Sequence, residues 1–124
     1  MRIFKTKSFA RFARREDIAD RALCESVVRA EQGLIDADLG GGLIKQRVAR
    51  MGAGRSGGYR TLLAYRRGDR RYFVYGFGKN ERNNLTAADL HRTRRTSETL
   101  MSMSAAGIRD AIEHGALVEV NCDA

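Results

Sequence analysis

Apolar residues recur along the chain with a helical period, then a strand period, then a helical period again. Arg2 to Lys5 reads as a short strand with Ile3 and Phe4 on opposite faces. Ser8 is placed to cap a first helix that carries Phe9, Phe12 and Ala13 on one side. Asp17 to Asp20 breaks the pattern, and Asp20 can cap a second helix with Leu23, Val27 and Ala30 at helical spacing, stopped by Gly33. Past the turn Gly40-Gly41-Gly42, three strands are expected at Leu43–Arg50, Tyr59–Arg67 and Arg70–Phe77. Met51 to Gly58 reads as a flexible, exposed loop between the first two, and Gly68-Asp69 as a tight hairpin between the last two. Thr86 to Asp89 resembles a capping box opening a helix to Met101. Ser104 to His114 repeats the pattern before Gly115, and Leu117 to Val120 suits a terminal strand. Helices, an antiparallel β-meander, then helices: the plan is a single α+β domain over residues 1–124.

Composition changes this picture in one respect. With 124 residues, 43% of them hydrophobic and 31% charged, the chain is of ordinary single-domain make-up. No apolar run reaches the length of a membrane span, and basic Met1-Arg2-Ile3-Phe4-Lys5 is not followed by the apolar stretch of a secretion signal. A cytoplasmic protein is therefore expected, with Cys24 and Cys122 as two reduced thiols. The formal charge of +8 is unevenly spread. Between Gly40 and Arg82 stand eleven basic residues, most of them arginine, against only Asp69 and Glu81. Arginine forks onto phosphate oxygens, so an anionic partner is expected, although a merely solvated basic face has the same composition.

Strand parity sharpens the expectation. Lys45 and Arg47 share a face and leave Ile44 and Val48 to the core, while Arg60, Leu62 and Ala64 lie opposite Tyr59, Leu63 and Tyr65. Tyr75, Phe77 and Lys79 share a parity on the third strand. Paired in order, these strands converge Lys45, Arg47, Arg60 and the Lys79–Arg82 turn on one basic patch, with Arg50 nearby and Arg55 at its rim. Tyr59 and Tyr75 are candidates for stacking on bases, or else plain sheet aromatics. The glycines from Gly52 to Gly58 lack the Gly-Lys-Ser/Thr ending of a nucleotide-binding loop, and no cluster of metal ligands stands out. His114, near a helix end, needs no role beyond its interaction with the helix dipole.

At these residues the sequence resembles toxins of the RelE/HigB type from bacterial toxin–antitoxin systems. Leu43-Ile44-Lys45-Gln46-Arg47-Val48 is similar to their Lys-x-basic strand, and Gly57-Gly58-Tyr59-Arg60 to their glycine–aromatic–arginine strand start. Tyr75 to Asn83 resembles their aromatic strand ending in Gly-Lys-x-Glu-Arg, and Gly33 to Gly42 also fits a branch of that family. The resemblance implies cleavage of messenger RNA on the ribosome by attack of the ribose 2′-hydroxyl on the adjacent phosphorus, a route that needs no metal or other cofactor. It implies base and charge-stabilising roles for Lys45 and Arg47 and a contact from Arg60 to the scissile phosphate. Lys79 would be catalytic, and Arg50, Arg55, Tyr59, Tyr75 and Arg82 would bind RNA. It further implies an antitoxin partner carrying a helix-turn-helix. Two departures stand out: Asn80 replaces an arginine of some relatives, and Asn83-Asn84-Leu85-Thr86 lacks their tyrosine or histidine, with His91 one turn further on. The same scaffold also serves gyrase-poisoning toxins and would serve a non-catalytic RNA- or antitoxin-binding protein.

Overall fold

The computed structural model describes residues 1–50, 54–66, 69–78 and 85–123, with the backbone alone described at 50, 54–57 and 66. The elements run β1 (Arg2–Thr6), α1 (Lys7–Arg15), α2 (Asp20–Glu31), β2 (Ala37–Asp38), β3 (Leu43–Arg50), β4 (Gly54–Arg66) and β5 (Arg70–Gly78). They continue through α3 (Ala87–Met101), α4 (Ala105–Glu113) and β6 (Leu117–Glu119). Strands β3, β4 and β5 form the expected antiparallel meander. The full sheet is larger and mixed: its order is β2-β3-β4-β5-β1-β6, with β1 parallel to β5 and β6 antiparallel to β1.

Alternation along the strands divides the core between the two faces of this sheet. Ile3, Ile44, Val48, Leu63 and Phe73 face one side, where Phe9 and Phe12 of α1 and Leu23 and Val27 of α2 cover them. Their neighbours Phe4, Leu43, Leu62, Ala64 and Tyr72 face the other, under Leu100 of α3 and Ile108 of α4. The fit at α1 is close: a Cβ on Gly76 of β5 would lie 2.5 Å from the Phe12 ring. Gly40, Gly41 and Gly42 all take positive φ, the conformation that lets the chain reverse tightly from β2 into β3.

Several local expectations shift. Thr6, not Ser8, caps α1, accepting from Phe9 N at 3.2 Å, because β1 runs directly into the helix. Asp20 is the first residue of α2 rather than its cap; its carboxylate accepts from Lys5 Nζ at 3.0 Å and Asn121 N at 2.9 Å. Thr86 and Ser104 cap α3 and α4 as expected. Of the loop expected at Met51 to Gly58, Gly54 to Gly58 belong instead to β4, with Gly54 pairing with Arg50 and Gly58 buried, while Met51 to Ala53 lie outside the described residues. Gly68 lies outside the described residues, but the pairing of Arg66 with Arg70 fits the hairpin. Among the described residues no helix is long and apolar enough to cross a membrane.

The expected free thiols are joined. Cys24 on α2 and Cys122 beyond β6, 98 residues apart, form a disulfide. Linear distance hid the pair, because the sheet brings the chain end back beside α2 through β6 and the Asp20–Asn121 bond. Arg2 ties β1 to β6 through two 2.9 Å bonds to Glu119, and these hold the Glu119 carboxylate below its usual range against the opposing effect of burial. That contribution is present in full above the ordinary carboxylate range and is lost as pH falls below it through the lowered Glu119 value. A loop this long makes the disulfide worth about 4–5 kcal/mol in the chain-entropy model, through restriction of the unfolded chain. Urea unfolding with and without reductant is expected to show a lower midpoint for reduced protein and for Cys24→Ser/Cys122→Ser; equal midpoints would remove the cross-link from the stability account.

Candidate RNA-binding site

The site grows from one strand pairing. In the β3–β4 register Arg47 stands directly opposite Arg60, and Lys45 opposite Leu62. All three basic side chains therefore lie on the face that α3 covers further along, beyond the Leu43–Ala64 pair. Like charges directly across a strand pair repel. The chain answers with Asp36, just before β2, whose backbone N–H donates to Lys45 O at 3.0 Å. Its carboxylate lies 3.7 Å from Lys45 Nζ, 3.4 Å from Arg47 Nε and 3.5 Å from Arg60 Nε. These separations exceed ordinary hydrogen-bond lengths, so the attraction is mainly Coulombic and the cations keep capacity for a second anion.

Burial makes that capacity matter. The Arg60 side chain is 19% exposed, and its Nη1 is buried with no hydrogen-bond partner among the described residues. With that fraction of its side chain exposed, Arg60 can still meet an incoming phosphate oxygen, onto which a guanidinium forks. Arg47, 42% exposed, faces solvent beside it. Three cations around one carboxylate leave an excess of two positive charges on this part of the sheet. Across the next strand pair Phe77 stands opposite Arg60 and Tyr75 opposite Leu62, so a half-buried tyrosine shares the face. The bulge between Leu62 and Leu63 absorbs one residue of β5 and keeps Tyr75 and Phe77 in that phase.

Gln46, between the two basic residues of β3, points the opposite way and is 2% exposed. Its Nε2 donates to Ser26 O at 2.8 Å and Leu34 O at 3.0 Å. It thereby fastens the segment leading to Asp36 onto β3. Arg29 of α2 adds a bond to Arg47 O. Neither Asp36 nor Gln46 stands out in the sequence. The signal available is the glycine turn at 40–42, which implies a short strand before it and so a residue near 36 beside Lys45.

Lys45, Arg47 and Arg60 are thus together, with Tyr75 on their face. Tyr59 is not: it is 5% exposed on the opposite face, edge-on to Phe12 at 5.7 Å, with its hydroxyl donating to Glu16 O. Strand parity sets it against Arg60, which removes it from the RNA-facing set. Arg50 and Arg55 belong to β3 and β4, but their side chains lie outside the described set, as do Lys79 and Arg82 entirely. Glu81, Asn80 and the stretch 83–84 are likewise outside it, and His91 is exposed on α3.

The family described as the RelE toxin of the RelE / RelB toxin-antitoxin system matches residues 1–120. The chain belongs to the RelE toxin family. It is accordingly a toxin of a toxin–antitoxin system, and membership implies an antitoxin partner. A search of the curated proteins finds no match to it. The α+β architecture, with a mixed six-stranded sheet and four helices among the described residues, is compatible with a single RelE-like domain.

Removing the Gln46 amide while keeping its bulk isolates the tether. Gln46→Leu is expected to remove the side-chain donor that joins Ser26 O and Leu34 O to β3 and to destabilise the fold by about 1–3 kcal/mol. Chemical denaturation checks this, and a variant as stable as wild type would show that the tether is dispensable.

Proposed function

We propose that this RelE-family toxin is an endoribonuclease that cuts messenger RNA in the ribosomal decoding site and so stops translation, as HigB-type toxins are expected to do. The reading is of a cytoplasmic protein held inactive by an antitoxin with a helix-turn-helix. Support comes chiefly from one observation: Lys45, Arg47 and Arg60 gather on a single carboxylate and carry two positive charges beyond it. That is the provision a phosphodiester requires. Its transition state adds a negative charge to the phosphoryl oxygens, and fixed cations stabilise it in a partly desolvated site. The half-buried Tyr75 ring beside them offers a surface for a base, and stacking tolerates any sequence.

In this reading the ribose 2′-oxygen attacks phosphorus, a cyclic phosphate forms and the 5′ oxygen leaves. Arg60 and Arg47 hold the phosphoryl oxygens, and Lys45 lies at the same cluster for proton transfer. Lys79 contributes a further cation to catalysis, and Arg50, Arg55 and Arg82 track the RNA backbone. No metal or other cofactor enters this scheme.

Brief induction followed by mapping of transcript 5′ ends tests the proposal. Wild type is expected to produce new 5′-hydroxyl ends phased with codons and to arrest growth. Lys45→Ala and Arg60→Ala are expected to lose both while remaining folded, with rate losses of about a hundredfold or more. DNA damage without RNA cleavage would replace the nuclease with a gyrase poison; harmless expression of folded wild type would leave only a binding role.

A further inference from the structure

The cation cluster lacks one participant that its chemistry demands. Attack by a 2′-hydroxyl needs a group to take its proton, and arginine and ammonium groups have no lone pair to offer. A lysine accepts a proton only after losing its own, and lysine ordinarily stays charged well above neutral pH. Among the described residues, the acceptor that touches all three cations is the Asp36 carboxylate. Glu31, the acidic end residue of α2, is engaged elsewhere, at 2.6 Å from Arg71.

We infer that Asp36 is the general base of this site. The inference rests on the nuclease reading above and supplies the residue that it leaves open. Asp36 keeps a fifth of its side chain exposed, at 21%, so substrate can reach it. Its contacts of 3.4–3.7 Å leave the oxygens unsaturated by close hydrogen bonds from the cations. Charge balance favours it too. While Asp36 is ionised the cluster carries an excess of two positive charges, and taking a proton raises that excess by one. The rise coincides with the gain of one negative charge on the phosphorane. The cluster becomes more positive as the substrate becomes more negative, which is stabilisation confined to the transition state.

The step balances without another reagent. The 2′ O–H bond breaks and its proton passes to a carboxylate oxygen of Asp36. The freed oxygen forms the bond to phosphorus, the P–O5′ bond breaks, and the 5′ oxygen takes a proton from the Lys45 ammonium. Exchange through solvent then returns the proton from Asp36 to Lys45. Lys45 is the acid in this scheme, and Arg47 and Arg60 hold the phosphoryl oxygens.

Programmed ribosome complexes test it, one set carrying ordinary messenger RNA and one carrying a single 2′-deoxyribose at the cut position. Single-turnover cleavage is read on the first set and affinity on the second. Asp36→Asn is expected to cut about a hundredfold more slowly or worse. It should bind the deoxy complex at least as tightly as wild type, because the three cations remain and the carboxylate that offsets them is neutralised. Asp36→Glu, which keeps a carboxylate, should recover part of the rate. Wild-type speed in Asp36→Asn, no recovery in Asp36→Glu, or parallel losses of affinity and rate would each overturn the assignment. If wild type cuts no message at all, the nuclease reading fails first, a result distinct from wild type cutting and Asp36→Asn cutting equally well.

Discussion

Two arginines facing each other across β3 and β4 set the problem that this part of the molecule has to solve. Arg47 and Arg60 are directly paired in an antiparallel ladder, an arrangement that costs stability unless an anion is shared between them. Asp36 supplies that anion, and its position depends on the glycine turn at 40–42, on the short β2 pairing and on the Gln46 tether. A fold selected only for stability would place an apolar pair there, as it does at Leu43 and Ala64 a few residues along the same strands. Retaining two arginines and a lysine around a single carboxylate keeps a site charged beyond its internal needs.

The sheet makes this arrangement rigid. Its central strands are packed on both faces, by α1 and α2 on one side and α3 and α4 on the other, so the backbone under the cations has little freedom. Toward the Arg47–Arg60 end charged side chains replace the core on this face. Sites built on strands of a packed sheet hold their geometry better than sites on loops.

Local signals are legible in the sequence and non-local ones are not. Strand periodicity locates β3, β4 and β5, and the hydroxyl caps at Thr86 and Ser104 locate α3 and α4, because both depend on neighbours a few residues away. Parity alone puts Lys45, Arg47 and Arg60 on one face and Tyr59 on the other, so a stacking role for Tyr59 conflicts with information already present in the strand pattern. The parallel pairing of β1 with β5 and the Cys24–Cys122 bond join segments far apart in the chain, and no short-range pattern encodes either. Asp36 escapes for a different reason. A strand of two residues is too short to show a period, so only the glycine turn at 40–42 hints that the residue before it lies beside Lys45.

The central claim is that these cations grip an RNA phosphate, and the salt dependence of binding measures that grip. Affinity for a single-stranded RNA made uncleavable by 2′-deoxy substitution should fall with salt in wild type. Replacing Arg60 with glutamine should make the log–log slope shallower by about 0.7, the share of one neutralised phosphate on a single strand. An unchanged slope in a folded Arg60→Gln protein would contradict the account, because the buried guanidinium would then not be touching the RNA backbone.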